Sequence, residues 1–161
     1  MNTRYFKAPW CSALIVVSIL ATALCAGITL WYHPWKATHF HEQLPWLPLV
    51  IALGCALYTV RGYTITPDAI LVHRLFWDTR LPRAGLQSAS VDPQAMCRSI
   101  RTFGNGGFFS ITGCYRNKTL GSYRALVTDP RLAVVLKFAR RTIVVSPDAP
   151  EEFVHELGMA T

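Results

Sequence analysis

Apolar positions dominate the start of this chain and fall into two blocks. No Asp, Glu, Lys or Arg occurs in residues 8–35, and the densest part, residues 11–31, is rich in Leu, Ile, Val and Ala. A bilayer-spanning helix needs about 20 such residues, so this block predicts a transmembrane helix. Trp10 stands at one end and Trp31, Tyr32 and Trp35 at the other, like the aromatic belts of a spanning helix. A second block, residues 44–60, is at the short limit for a span and ends at Arg61. Pro45 and Pro48 fall in or just before its first turn, where proline is tolerated. Residues 32–43 between the blocks are too few for a domain. The pattern predicts a helical hairpin, with helices at about 11–31 and 44–60. A cleaved signal peptide ending near Ala21-Thr22-Ala23 is the alternative. Apolarity continuing to Trp31, and the second block, weigh against it.

Small residues at helical spacing give the hairpin a way to pack. Ser18, Thr22 and Ala26 are four apart, as are Ala23 and Gly27, and Ala52 and Ala56. In lipid, close backbone approach replaces hydrophobic burial as the packing device.

After Arg61 the period changes. Short β-branched and aromatic runs alternate with turn residues: 63–66, 69–76, 77–81, 86–91, 108–115, 121–128, 132–138 and 142–145. Regular short strands with turn signals indicate a sandwich or barrel, and without βαβ alternation a parallel nucleotide-binding sheet is not expected. Asp148-Ala149-Pro150-Glu151 reads as a helix start, with Asp148 as the cap. Phe153 and Leu157, four apart, form one apolar face. The division expected is a hairpin over residues 1–61 and a β domain over 62–161.

Composition supports a membrane protein. The 161 residues are 52% hydrophobic but only 16% charged, where soluble domains have about 25%. That combination excludes a disordered chain. The net charge is +7, with Arg4 and Lys7 before the first block, Arg61, Arg74, Arg80 and Arg83 after the second, and only Lys36 between them. The positive-inside rule then puts both termini and the β domain in the cytoplasm, and the protein in the cytoplasmic (inner) membrane as a multi-pass chain. The five cysteines are odd in number and form no CxxC pair, so they indicate neither a disulfide framework nor a zinc site.

Several motifs have a specific likeness. Tyr63-Thr64-Ile65-Thr66-Pro67-Asp68-Ala69-Ile70 opens the β region. Arg101-Thr102-Phe103-Gly104-Asn105-Gly106-Gly107-Phe108, Leu120-Gly121-Ser122-Tyr123-Arg124, Thr128-Asp129-Pro130 and Val144-Val145-Ser146-Pro147-Asp148 follow. In these the chain resembles the bacterial pleckstrin-homology (PH)-like domains tethered behind two membrane helices. The resemblance implies a membrane-anchored α+β fold: a bent antiparallel sheet or barrel of about seven strands, capped by a C-terminal helix. It implies no established activity, because the fold hosts many functions.

Candidate chemistry is sparse. Gly104-Asn105-Gly106-Gly107 could turn several amides toward an anion, flanked by Arg101 and Arg116, or could simply be a glycine-rich hairpin connection. Arg116, Lys118 and Arg124 form a basic patch if residues 116–118 turn a hairpin; Lys137, Arg140 and Arg141 form another. These eight residues, Arg101, Gly104, Asn105, Gly106, Gly107, Arg116, Lys118 and Arg124, are the candidate ligand or partner site. His33, His39 and His41 beside Glu42 match no closed metal site, and no metal or cofactor is expected. There is no Gly-x-Ser-x-Gly elbow and no HExxH, and His73 and His155 are isolated in sequence. The aromatics do not interleave with a basic run, which argues against nucleic acid. The expectation is therefore a non-enzymatic module without a small-molecule substrate. It works at the bilayer through a protein partner or self-association, on an exposed sheet edge. Sensing of anionic lipid headgroups by basic loops is the alternative, and an accessory subunit of a membrane enzyme or transporter a second one.

Overall fold

The computed structural model describes residues 3–31 and 46–158. The expected connection, with His33, Lys36, His39, His41 and Glu42, lies outside them. The first apolar block is helix α1, Ser12–Trp31, long and apolar enough to cross a membrane. The second forms helix α2, Leu47–Leu57. Its 11 residues rise about 16 Å, well short of a hydrocarbon core of about 30 Å. Among the described residues, then, one helix has spanning length, where the sequence led us to expect two. The helices lie against each other. Arg74 Nη1 donates to the carbonyl of Tyr58, the α2 C-cap, at 2.6 Å, setting a cation at the negative helix end.

Ten described strands form two sheets. The first has four strands in the order β1 (Arg4–Lys7), β2 (Gly62–Ile65), β3 (Ala69–His73) and β4 (Asp78–Pro82), all antiparallel. The second has six: β5 (Leu86–Val91), β9 (Val134–Phe138), β10 (Arg141–Val145), β8 (Gly121–Val127), β7 (Ser110–Asn117) and β6 (Ile100–Phe108). Its β8–β10 pair is parallel, so the sheet is not wholly antiparallel as expected.

Two strands were not anticipated. β1 sits in what reads as the charged flank of α1, yet it pairs with β2 from Arg4↔Ile65 to Lys7↔Gly62. Phe6 is buried in the core, and its neighbours Tyr5 and Lys7 are exposed on the opposite face. The sheet therefore draws on chain from both sides of the helices, and a boundary between residues 61 and 62 does not describe β1. The other is β6, which carries the glycine run.

The core lies between the sheets. Tyr63, Ile65, Ile70, Val72 and Leu81 face Leu126, Leu136, Ile143 and Val145. Helix α3, Pro150–Glu156, closes one end with Phe153, whose ring meets Phe6 and Tyr63 edge-on at 5.1 and 6.1 Å. Phe153 and Leu157 are both buried, as their spacing predicts. Asp148 is not the cap; Ala149 is, with no side-chain bond. Asp148 Oδ1 instead accepts the Lys7 amide at 3.1 Å, and its own amide donates back to the Lys7 carbonyl at 2.9 Å. The carboxylate thus serves β1, which the sequence pattern did not disclose.

Candidate functional site

The strand residues of this core come from β1–β5 and β8–β10 but not from β6 or β7. The four-stranded sheet does not extend over the last two strands of the six-stranded one; α1 and α2 lie against β6, and Ser110 and Thr112 are buried at that end. The inner-face row that is covered at Leu136 and Ile143 therefore continues uncovered through Arg124, Cys114 and Phe103, which are cross-strand partners. Ile100 and Arg116 pair on the same face. Ile100 is 74% exposed and Phe103 78%. Among the described residues no strand pairs with the outer edge of β6.

The opposite face is covered. Tyr115, Tyr123, Ala125 and Val144 pack with Ala95 and Met96 from the β5–β6 connection. Asn117 holds that connection. Its Nδ2 donates to the Ala95 carbonyl at 2.8 Å and the Ser99 hydroxyl at 3.1 Å, while Oδ1 accepts the Leu120 amide at 2.7 Å.

The glycine run is not a connection between strands but part of a strand. Gly104, Asn105 and Gly106 lie within β6, opposite Gly113, Thr112 and Ile111, and the turn comes later, at Phe109. Gly104 and Gly113 have φ of 107° and 144°, and a Cβ on Gly104 would stand 2.6 Å from the Gly113 Cα. Glycine is there because two backbones meet. The Asn105 amide is engaged as well: Oδ1 accepts the Phe108 amide at 3.0 Å and Nδ2 donates to the Phe108 carbonyl. The guanidinium of Arg101 lies over Gly106, where a Cβ would meet it.

The candidate cations divide among three places. Arg101 is next to Ile100 in sequence and so points to the opposite face from Arg116. There it lines a groove of about 480 Å³ with Tyr115 and Met96. Burial pushes the Tyr115 pKa up, and the Arg101 charge offsets only part of that. Arg116 and Lys118 join Arg98, Ile100 and Asp92 around a larger groove of about 1180 Å³. Arg124 stands apart, toward Arg74. The Arg74 pKa is lowered, chiefly by its own burial and then by the Arg124 charge.

Sequence reasoning missed the exposed Ile100 and Phe103 by treating 101–108 as a motif instead of a strand. It also took His73 as isolated. The structure sets Thr64 Oγ1 2.6 Å from His73 Nε2, and Asp78 Oδ1 2.7 Å from His73 Nδ1. This hydroxyl–imidazole–carboxylate row is the signature of an activated nucleophile. Acyl transfer also needs donors aimed at the developing oxyanion. Thr64 is buried in a central strand whose backbone pairs with β1 and β3 on both sides. The row ties β2, β3 and β4 together.

The other motifs that carry the family likeness also fold into structural knots. Tyr63 donates from its hydroxyl to the Leu126 carbonyl at 2.6 Å and accepts the Ser146 amide at 3.1 Å. Burial pushes its pKa to about 12. Ser146 Oγ accepts the amides of Thr128 and Asp129 at 2.9 and 3.3 Å. Asp129 Oδ1 accepts from both the Arg131 amide and Nε at 3.0 Å, and this bonding to Arg131 holds the carboxyl below the usual range.

No curated protein and no solved structure matches the chain. A family model described as bacterial PH domain matches residues 61–160. That span holds nine of the ten strands and the closing helix, and it takes in the motifs that build the Tyr63–Ser146 knot. By that match over most of its length, the chain belongs to the bacterial PH domain family.

Proposed function

We propose that this is a non-enzymatic protein of the cytoplasmic membrane. In this reading α1 and the segment through α2 anchor a cytoplasmic PH-like domain, and that domain binds a protein segment, or a second copy of itself, along β6. The observation that carries the reading is the β6 edge, with Ile100 and Phe103 exposed beside a groove rimmed by Arg98, Arg116 and Lys118. An unpaired strand edge supplies main-chain hydrogen bonds, and flanking side chains supply selectivity. The rim favours a segment with acidic and apolar residues.

The β1–β2 pairing supports a return crossing. It holds residues 4–7 and 62–65 together on one side of whatever the helices enter. If α1 crosses, the chain must cross back before β2. The basic residues flanking both helices favour the cytoplasm for that side.

The headgroup reading is less favoured. The Phe109 amide meets α1 at Ser18, and Arg116 and Lys118 lie at the far end of β7, about 24 Å along a strand that rises roughly 3.4 Å per residue. That exceeds a Debye length of about 8–10 Å. Tethering at the membrane raises the effective concentration of the edge for a membrane-bound partner.

The test compares full-length protein with I100D/F103D and with R124E, each purified from membranes by affinity tag. A co-purifying chain, or a doubled mass in detergent, should be lost in I100D/F103D and kept in R124E. Identical chains and masses in all three would refute the edge as the binding surface. Turnover of a substrate by the purified chain alone would refute the non-enzyme reading.

A further inference from the structure

Two turns of the β domain stand at the helix ends, and both are aromatic. The first joins β6 to β7 through Phe108 and Phe109. Phe109 has φ of 63°, in the left-handed region that glycine adopts freely and a bulky residue rarely does. Its amide donates to Ser18 Oγ at 2.9 Å, about 9 Å along α1 at 1.5 Å per residue. Its ring packs edge-on to Trp10, just before α1, at 6.3 Å. The second turn joins β3 to β4 through Leu75, Phe76 and Trp77. Phe76 is 77% exposed, and Trp77 meets Tyr58, the α2 C-cap, edge-on at 5.2 Å.

Three backbone groups of the first turn are bonded within the protein. Asn105 takes both the amide and the carbonyl of Phe108, and Ser18 takes the amide of Phe109. Beside them Ser110 Oγ donates to the Tyr58 carbonyl at 3.3 Å and ties the start of β7 to the α2 C-cap. A turn in water needs none of this, because solvent serves those groups. A turn at the edge of the hydrocarbon must have it. Ser18, which sequence spacing assigns to helix–helix packing, here receives the turn.

We propose that these two turns are themselves membrane contacts. They seat as apolar wedges in the leaflet that α1 enters, so the domain rides in a fixed attitude on the bilayer. This rests on α1 crossing the bilayer, as proposed above. The occupant is lipid because both turns are continuous with the helix ends. The depth also fits: α1 is about 30 Å long, the thickness of the hydrocarbon core, which brings the level of Ser18 inside its edge. Aromatic rings favour that boundary. The orientation also leaves the first half of β6 facing away from lipid and open to a partner.

The experiment uses the full chain, with its five cysteines replaced, in vesicles of phosphatidylcholine and phosphatidylglycerol. Single cysteines are introduced as F76C, F109C, L24C and K137C and labelled with an environment-sensitive fluorophore. Lipids bearing nitroxide at shallow or deep positions then quench by depth. The expected result is shallow quenching at 76 and 109, deep quenching at 24 and none at 137. Quenching at 24 with 76 and 109 as bright as 137 overturns the proposal and leaves the spanning helix standing. That pattern would assign the turns to a protein partner. No quenching at 24 sinks the spanning reading, and the proposal with it. If F109C does not fold, F76C decides alone, because that side chain is exposed and supports no packing.

Discussion

Replacing Tyr63 by Phe tests whether one hydroxyl joins the two sheets. The ring stays, so packing against Phe153 is kept and the change is confined to one oxygen. That oxygen donates to the Leu126 carbonyl and accepts the Ser146 amide, and both sites are fully buried. A buried polar group left without its partner costs about 1–3 kcal/mol. Part of the loss at Leu126 is shared with its strand ladder, so the expected destabilisation is about 2–4 kcal/mol. The wild type also has a signature at high pH. Tyr63 has its pKa raised to about 12 from 10, so below pH 10 the hydroxyl is protonated folded or unfolded and no pH dependence arises from it. Between pH 10 and 12 the unfolded chain loses this proton and the folded chain keeps it, so stability falls as pH rises. At 1.36 kcal/mol per pKa unit the full loss is about 3 kcal/mol. The assay is urea unfolding of the full chain in mild detergent, followed by near-ultraviolet circular dichroism at pH 8 and pH 11. Y63F should lower the midpoint at pH 8 and show a shallower decline toward pH 11 than wild type. A midpoint shift worth under about 0.5 kcal/mol, within the range of ordinary surface changes, would refute the two-bond account. Equal declines with pH would refute the assignment of that titration to Tyr63.

Two further outcomes follow from the same geometry. G104A should unfold the β6–β7 hairpin locally, because the new Cβ meets the Gly113 backbone and the residue must hold a φ of 107°. Left-handed strain alone is about 1–3 kcal/mol, and hydrogen exchange should show lost protection in β6 and β7 with β9 and β10 unchanged; protection equal to wild type would refute it. At low pH, Asp129 should contribute to acid sensitivity. Its depressed folded pKa gives stability that is present above the ordinary value of 3.8 and lost as pH falls through the folded value. D129N should flatten the acid limb of the unfolding midpoint, and an unchanged limb would refute the role.

The bilayer-length first block, most strand runs after Arg61, the closing helix with Phe153 and Leu157 inward, and the family were legible in the residues alone. Each is a local pattern: a continuous apolar run, a period of two, a period near four, and motif strings. What could not be read depends on residues far apart in the chain. Arg4 and Lys7 look like charges flanking a helix, and only Gly62–Ile65 arriving alongside turns them into a strand. Asp148 has the form of a cap, yet Lys7 claims its carboxylate. Gly104-Asn105-Gly106-Gly107 has loop chemistry, and a facing Gly113 makes it a strand instead.

The candidate site shows the same division. The sequence by itself determined that cations and glycines cluster in residues 101–124. It did not determine which of them share a face, because that depends on cross-strand register. Register separated Arg101 from Arg116, brought Ile100 and Phe103 onto an uncovered row, and joined His73 to Thr64 and Asp78. Hydrophobic period selects elements from neighbours in sequence. Partners and faces follow from pairing between strands as distant in the chain as Arg4 and Ile65, and only the tertiary structure decides those.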